Sequence, residues 1–320
     1  MAKSHRSTRN GPSNQEASAP SELPKRSWTG SLRRTITEFS ADNLSDLAAA
    51  LTYYAILSIF PALLVLVSLL GLAGPAATQA LTNAISAAPA DVASVLTTIL
   101  ENVQRNQGTA GIFGLIGLAL ALWSASGYIA AFMRASNVIY DVPEGRPIYK
   151  TLPIRVGITL AMVVLLTLAA VAVVVTGGLA EQVGSLLGLG SVAVTVWSIA
   201  KWPVLLLVVI LIISLLYWAS PNAKRGFRWV TAGSVLAIVI WLLASAAFAV
   251  YVANFASYNA TYGSMAGVII FLVWLWITNI AILLGEELNS ELERSRALAQ
   301  GQSETEVPYV EMRDTPKKKG

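Results

Sequence analysis

The chain has 320 residues, 55% hydrophobic and only 12% charged, with a mean hydropathy of +0.62. A soluble domain is about 25% charged, so these figures exclude an ordinary water-soluble globule and place most of the surface against lipid. The chain has no cysteine, which removes disulfides and thiolate metal sites, and its net charge of +4 reads as a positive-inside bias rather than a nucleic-acid surface.

Residues 1–27 mix Ser, Asn, Pro and basic side chains and read as a disordered cytoplasmic tail. They are not a signal peptide, because no apolar core follows. Leu32, Ile36 and Phe39 then recur at helical spacing, which predicts a short amphipathic helix on the cytoplasmic face.

The first long apolar run spans about 47–73, and crossing a bilayer takes roughly 20 such residues as helix. Asp42 and Asp46 precede it, where a helix N-terminus favours negative charge. Seven basic residues, from Lys3 to Arg34, also precede it and hold the N-terminus inside. Pro61 frees a carbonyl and predicts a kink, while Tyr53, Tyr54 and Ser58 lie in the cytoplasmic half.

Residues 74–109 form the longest loop, where Val92, Leu96, Ile99 and Val103 predict amphipathic helix on the outer surface. The second span is about 110–132, with Gly117, Ala121 and Ala125 making a small-residue face. The third covers about 156–176, after Arg155 at the cytoplasmic boundary, and an outer loop occupies 177–196. The fourth runs from about 202 to 219 between aromatic pairs, Trp197 and Trp202 outside and Tyr217 and Trp218 inside. The fifth is about 229–252 and the sixth about 262–285, the latter opening on the GxxxG match Gly263 to Gly267. The transmembrane domain therefore extends over 28–295, and 296–320 reads as a second disordered cytoplasmic tail. With six spans and both termini inside, every one of the 22 Lys and Arg except Arg105 and Lys201 falls on the cytoplasmic side. Backbone groups in lipid must be satisfied within the chain, and runs of this length select an all-α, polytopic membrane protein over a barrel.

Laid out this way, the chain resembles the YihY/BrkB family of bacterial inner-membrane proteins, also called the ribonuclease BN family. The resemblance covers about residues 40–293. It rests on AAALTYYAILSIFPALLVL (48–66), GLIGLALALWSASGYIAAFMRASNVIYDVPEGRP (114–147), YGSMAGVIIFLVWLWITNIAILLGEELNSELE (262–293) and the inner-loop Pro221. It implies six transmembrane helices, an inner-membrane location, and proposals around envelope integrity, serum resistance and lipid-related transport. The family pattern often has a basic residue where this chain has Gly127.

The residues argue against a nuclease. RNA hydrolysis needs acid–base groups or a metal cage, whereas the one histidine, His5, sits in a tail and no phosphate loop or GxSxG elbow is present. Between their ends the six spans carry no Asp, Glu, Lys, Arg or His, which weighs against a proton-coupled carrier. What fits is the movement or organisation of a lipid or other amphipath, whose head needs only a polar groove. A non-transporting scaffold is the alternative.

Two constellations stand out. Trp123, Trp241 and Trp274 fall near the midplane, and either pack or line a cavity with Tyr53, Tyr54 and Asn279. Asp42, Asp46, Arg134, Glu286 and Glu287 share the cytoplasmic rim, where Arg134 is expected to pair with a carboxylate. The expected protein is non-enzymatic, with no cofactor and no metal site. Its partners are membrane lipids rather than nucleic acid, with self-association left open.

Overall fold

The structure is a computed structural model describing residues 25–72, 112–174, 191–254, 264–303 and 307–316, with isolated positions at 82, 97, 98 and 101. The expected helix around Val92 to Val103, the GxxxG start at Gly263 and most of the tail 1–27 lie outside the described residues. Eight helices are described: α1 Lys25–Ala41, α2 Leu44–Leu72, α3 Ile112–Ala125, α4 Gly127–Ile139, α5 Ile148–Val174, α6 Ser191–Ala219, α7 Ala232–Asn254 and α8 Ser264–Ala299. The described residues hold no strand, only an isolated bridge between Ala223 and Met312.

The chain is all-α and polytopic. Four helices are long and apolar enough to cross a membrane, over Ile148–Ala169, Val192–Ala219, Ala232–Ala253 and Gly267–Ala299. On α7 only 11% of the crossing stretch is buried, leaving Val235, Leu242, Leu243 and Val250 outward, as a lipid-facing helix requires. The first expected span falls on α2, which runs through Pro61, and its described apolar stretch is the shorter Leu44–Ile59. The second is not one helix. It turns at Ser126, whose hydroxyl donates back to the Trp123 carbonyl (2.6 Å), a local bond that competes with the helical ladder. The expected outer loop 177–196 is also shortened, since α6 already begins at Ser191.

The buried core gathers at one end of the helices, beside the loops that follow α4 and α6. Leu44, Ala48 and Leu51 of α2 meet Ile129, Phe132 and Ile139 of α4, Leu216 and Tyr217 of α6, and Leu283 of α8. α7 crosses α8 at close range. A Cβ added to Gly233 would stand 1.8 Å from the Gly285 carbonyl oxygen, and one on Gly285 would stand 2.3 Å from the Gly233 oxygen. Only two glycines let the backbones meet. Gly117 and Gly267, singled out by their spacing, have no atom within 4 Å of such a Cβ.

The amphipathic helix α1 is attached by its polar face. Ser31 and Thr35 are buried, while Leu32 and Ile36 are exposed. The Ser31 hydroxyl bonds with the Glu291 carbonyl (3.2 Å) and Ser295 (2.8 Å), Arg34 pairs with Glu291, and Arg294 lies 3.6 Å from Glu38. Phe39 and Trp28 pack inward, so only Leu32 and Ile36 are left facing outward, as on a helix with one side toward a bilayer.

The expected disordered tail from 296 needs correction. Residues 296–299 complete α8, and 307–316 run between two loops. The Lys224 N–H donates to the Glu311 carbonyl (2.7 Å), the Arg313 N–H to the Asn222 carbonyl (3.0 Å), and the Asp314 N–H to Asn222 Oδ1 (3.1 Å). Lys150 pairs with Asp314 at 2.6 Å. Gly145 makes room, because a Cβ there would lie 2.1 Å from the Asp314 oxygen. Polar composition predicted disorder, but backbone groups found partners in loops distant in sequence.

Candidate functional site

The turn at Ser126 brings α2, α3, α4 and α5 to one place. Arg155, on the second turn of α5, donates from Nη2 to Ser126 Oγ at 2.6 Å, and its Cζ lies 4.9 Å from the Trp123 ring centroid. Its Nε is buried with no hydrogen-bond partner. Across the notch, Arg134 of α4 stands 5.4 Å from the centre of the Tyr54 ring, and Tyr53 meets Tyr54 edge-on at 5.5 Å. Ser58 Oγ is buried without a partner, close to Gly127, whose missing side chain leaves space beside Tyr54. Tyr53 and Trp123 are 61% and 49% exposed, so the notch opens on the outer surface of the bundle.

Neither guanidinium has a carboxylate within ion-pair distance among the described residues. Two cations set against aromatic faces, with the unpartnered Ser58 hydroxyl and Arg155 Nε–H nearby, are groups suited to an anion. The sequence reading placed Arg155 at a boundary and gave it no role. Its signal was a cation at the edge of an apolar run, where a long stem reaches a neighbouring helix.

The expected rim network forms differently. Arg134 does not pair with Asp42, Asp46, Glu286 or Glu287. Ser136 faces inward and donates to Glu286 Oε2 (3.0 Å), whereas Arg134 and Val138 point outward. Two positions along an α-helix are about 200° apart around it, so a shared membrane level did not mean a shared face. Glu286 and Glu287 are almost fully buried, and each keeps one oxygen without a partner. Asp46 is exposed on the first turn of α2. Asp42 is half-buried near Asp141, Glu38 and Glu291, and burial together with these charges raises its carboxyl to about 6. Among the described residues no three His, Asp or Glu side chains stand together to hold a metal ion.

The residues expected to line a cavity separate into contacts. Asn279 is buried, donating to Thr52 Oγ1 (3.1 Å) and accepting from the Tyr128 hydroxyl (2.9 Å), which ties α8 to α2 and α4. Trp274 donates to Ser245 Oγ (3.2 Å), joining α8 to α7, while Trp241 Nε1 is buried and unpartnered. No hydrogen bond or ring contact among the described residues joins Trp123 to either of the other two. Only Trp123, with Tyr53 and Tyr54, belongs to the notch.

A second cluster escaped the sequence reading. Buried Arg146 pairs with Glu144 (2.7 Å) and donates to the Ser220 carbonyl (2.8 Å) at the end of α6, where a cation suits the helix C-terminus. Burial alone would raise the Glu144 carboxyl, but hydrogen bonds from Arg146 and Asn137 outweigh it and hold the carboxyl below its ordinary value. Asn137 accepts from the Asn222 N–H at 2.8 Å, and Asn222 donates to the Pro143 and Asp314 carbonyls. These bonds hold the loops after α4 and α6 and the C-terminal segment in one piece.

The sequence profile of the family described as virulence factor BrkB matches residues 35–308. The chain belongs to the BrkB family. The match contains α2 to α8 and the loops that follow α4 and α6, so the notch lies within it, while Asp314 of the loop cluster lies beyond its end. The chain is 35% identical to the putative ribonuclease-like protein YfkH of Bacillus subtilis over 178 residues, 56% of this chain and 65% of that protein. It is 39% identical over 88 residues to a UPF0761 membrane protein of Mannheimia succiniciproducens, 28% of this chain and 31% of that one. It is 43% identical over 83 residues to a UPF0761 membrane protein of Chromohalobacter salexigens, 26% of this chain and 20% of that one. The matched stretches thus span less than two thirds of each of these relatives. No solved structure matches the chain.

Proposed function

We propose that this BrkB-family protein moves or organises an amphipath with an anionic head, such as a phospholipid, in the bacterial inner membrane, with both termini cytoplasmic and without enzymatic chemistry. The observation that carries the reading is the notch. Arg134 and Arg155 stand against the Tyr54 and Trp123 rings, beside exposed Tyr53, with no carboxylate partner among the described residues. Arg155 falls within the candidate span Ile148–Ala169, and an ionised group within a span is costly and marks function more often than packing. An anionic head entering here meets charge-assisted donors while its tails stay against the apolar faces of α3 and α5.

The test uses purified protein in liposomes carrying head-group-labelled phospholipid. The rate at which inner-leaflet label becomes reachable by an external quencher is compared with that in empty vesicles. Acceleration by the wild type is expected, with Arg155→Gln and Trp123→Leu slowing it about tenfold, the effect of losing one charged contact. No acceleration across several lipid classes, with the protein shown folded, would favour the scaffold reading. That reading draws on the bundle centre, where Asn279, Thr52 and Tyr128 are bonded to one another.

A further inference from the structure

A second unfilled basic site lies away from the notch, at the loop end of α6. There the loop 220–231, the extension of α8 and the C-terminal segment enclose a cavity of about 310 Å³. Lys224, Arg225, Arg228 and Arg296 line it, against Glu293 and Glu311. Part of this charge is spoken for, since Lys224 pairs with Glu311 and Arg296 Nη1 donates to Glu293 at 2.6 Å. Arg225 packs its guanidinium 4.9 Å over the Tyr140 ring and donates to the Tyr140 hydroxyl, with Glu293 at 3.9 Å.

What remains is specific. The other edge of the Arg296 guanidinium, Nε and Nη2, is buried with no acceptor. Those two donors form the side-on fork that matches two oxygens of a phosphate or carboxylate. Arg228 is exposed on the same wall and has no carboxylate partner among the described residues. Leaving a buried guanidinium edge unsatisfied is expensive, and the acidic neighbours do not fill it.

The wall of the cavity continues into an aromatic ladder. Trp218 lines the cavity and meets Phe227 edge-on at 5.6 Å, and Phe227 meets Trp229 at 5.1 Å. Trp229 is 67% exposed and Val230 56%. Exposed aromatic rings beside a basic pocket are the arrangement of a headgroup-level interface.

We propose that this cavity binds the phosphate headgroup of an anionic phospholipid, with Arg296 and Arg228 as its donors and the ladder of Trp218, Phe227 and Trp229 against the glycerol and acyl region. The inference rests on the proposed handling of an anionic amphipath for the class of its ligand, but the site is separate from the notch. The C-terminal segment supplies one wall through Tyr309, Val310 and Glu311. Binding here therefore also holds that segment in place.

The experiment is native mass spectrometry of the full-length protein in mild detergent, titrated with phosphatidylglycerol or with diacylglycerol of the same chains, with melting temperatures measured in parallel. The wild type is expected to retain phosphatidylglycerol in preference to diacylglycerol. Arg296→Gln and Arg228→Gln are each expected to weaken retention of one lipid about tenfold. Arg228→Gln keeps the test decisive if Arg296→Gln fails to fold, because Arg228 is exposed. Arg155→Gln reports on the notch alone, so a failed transport reading leaves the Arg228 result standing. Equal retention of the two lipids, or unchanged retention by a folded Arg228→Gln, overturns the proposal. Inorganic phosphate raising the melting temperature as much as phosphatidylglycerol overturns the lipid assignment.

Discussion

Asp42 carries a pH signature outside the candidate spans. Burial, with Asp141, Glu38 and Glu291 nearby, raises its carboxyl from 3.8 to about 6. Between those values the folded chain holds a proton that the unfolded chain has released, so stability falls as pH rises through this window and is flat above it. Solvent screening of this half-exposed group reduces the penalty at neutral pH to about 1 kcal/mol. Asp42→Asn should therefore melt higher than the wild type at pH 7 and equally at pH 4. Parallel melting curves at both pH values would show that Asp42 is not the group responsible. Asp141 is raised in the same direction, by burial above all, with Arg294 opposing. Asp141 also occupies a left-handed conformation with φ of 50°, which Asp tolerates better than most residues.

At the scale of the helices, the crossing of α7 and α8 depends on Gly233 and Gly285, which touch backbone to backbone. Gly285→Ala must force the helices apart or displace the Tyr217 hydroxyl, which stands 2.5 Å from where the new methyl would sit. Overpacking of this kind costs about 1–3 kcal/mol, read as a lowered melting temperature. Gly267→Ala on the same helix meets open space and should be neutral or stabilising by up to about 1 kcal/mol. Equal effects from the two substitutions would remove the argument for a close crossing. The C-terminal segment offers a second test. Asn222→Ala deletes the bonds that join Pro143, Asn222 and Asp314. Faster amide exchange is expected at Arg313 and Asp314, with a loss of about 2 kcal/mol. Unchanged exchange would mean that the segment is held by other contacts.

Across the whole molecule, the charge asymmetry predicts that both termini are cytoplasmic. The chain has no cysteine, so single cysteines report cleanly. A membrane-impermeant maleimide should label Glu181→Cys in intact spheroplasts, and Thr315→Cys only after permeabilisation. Labelling of Thr315→Cys in intact spheroplasts would reverse the topology and with it the side on which α1 and the C-terminal segment lie.

The residues by themselves determined the solvent of this protein and its class. Runs such as those in α5 to α8 carry their transfer free energy locally, position by position, and need no knowledge of their neighbours. The aromatic character of Tyr53, Tyr54 and Trp123 was legible for the same reason. Only the tertiary structure decided which faces meet. Arg155 finds Ser126 across 29 residues and Asn222 finds Asp314 across 92. Arg134 misses every expected carboxylate, and the close glycine pair is not the one whose spacing drew attention. Each turns on the rotation of one helix against another. A step of one residue turns a side chain by about 100°, and hydropathy along an almost uniformly apolar helix does not specify that angle.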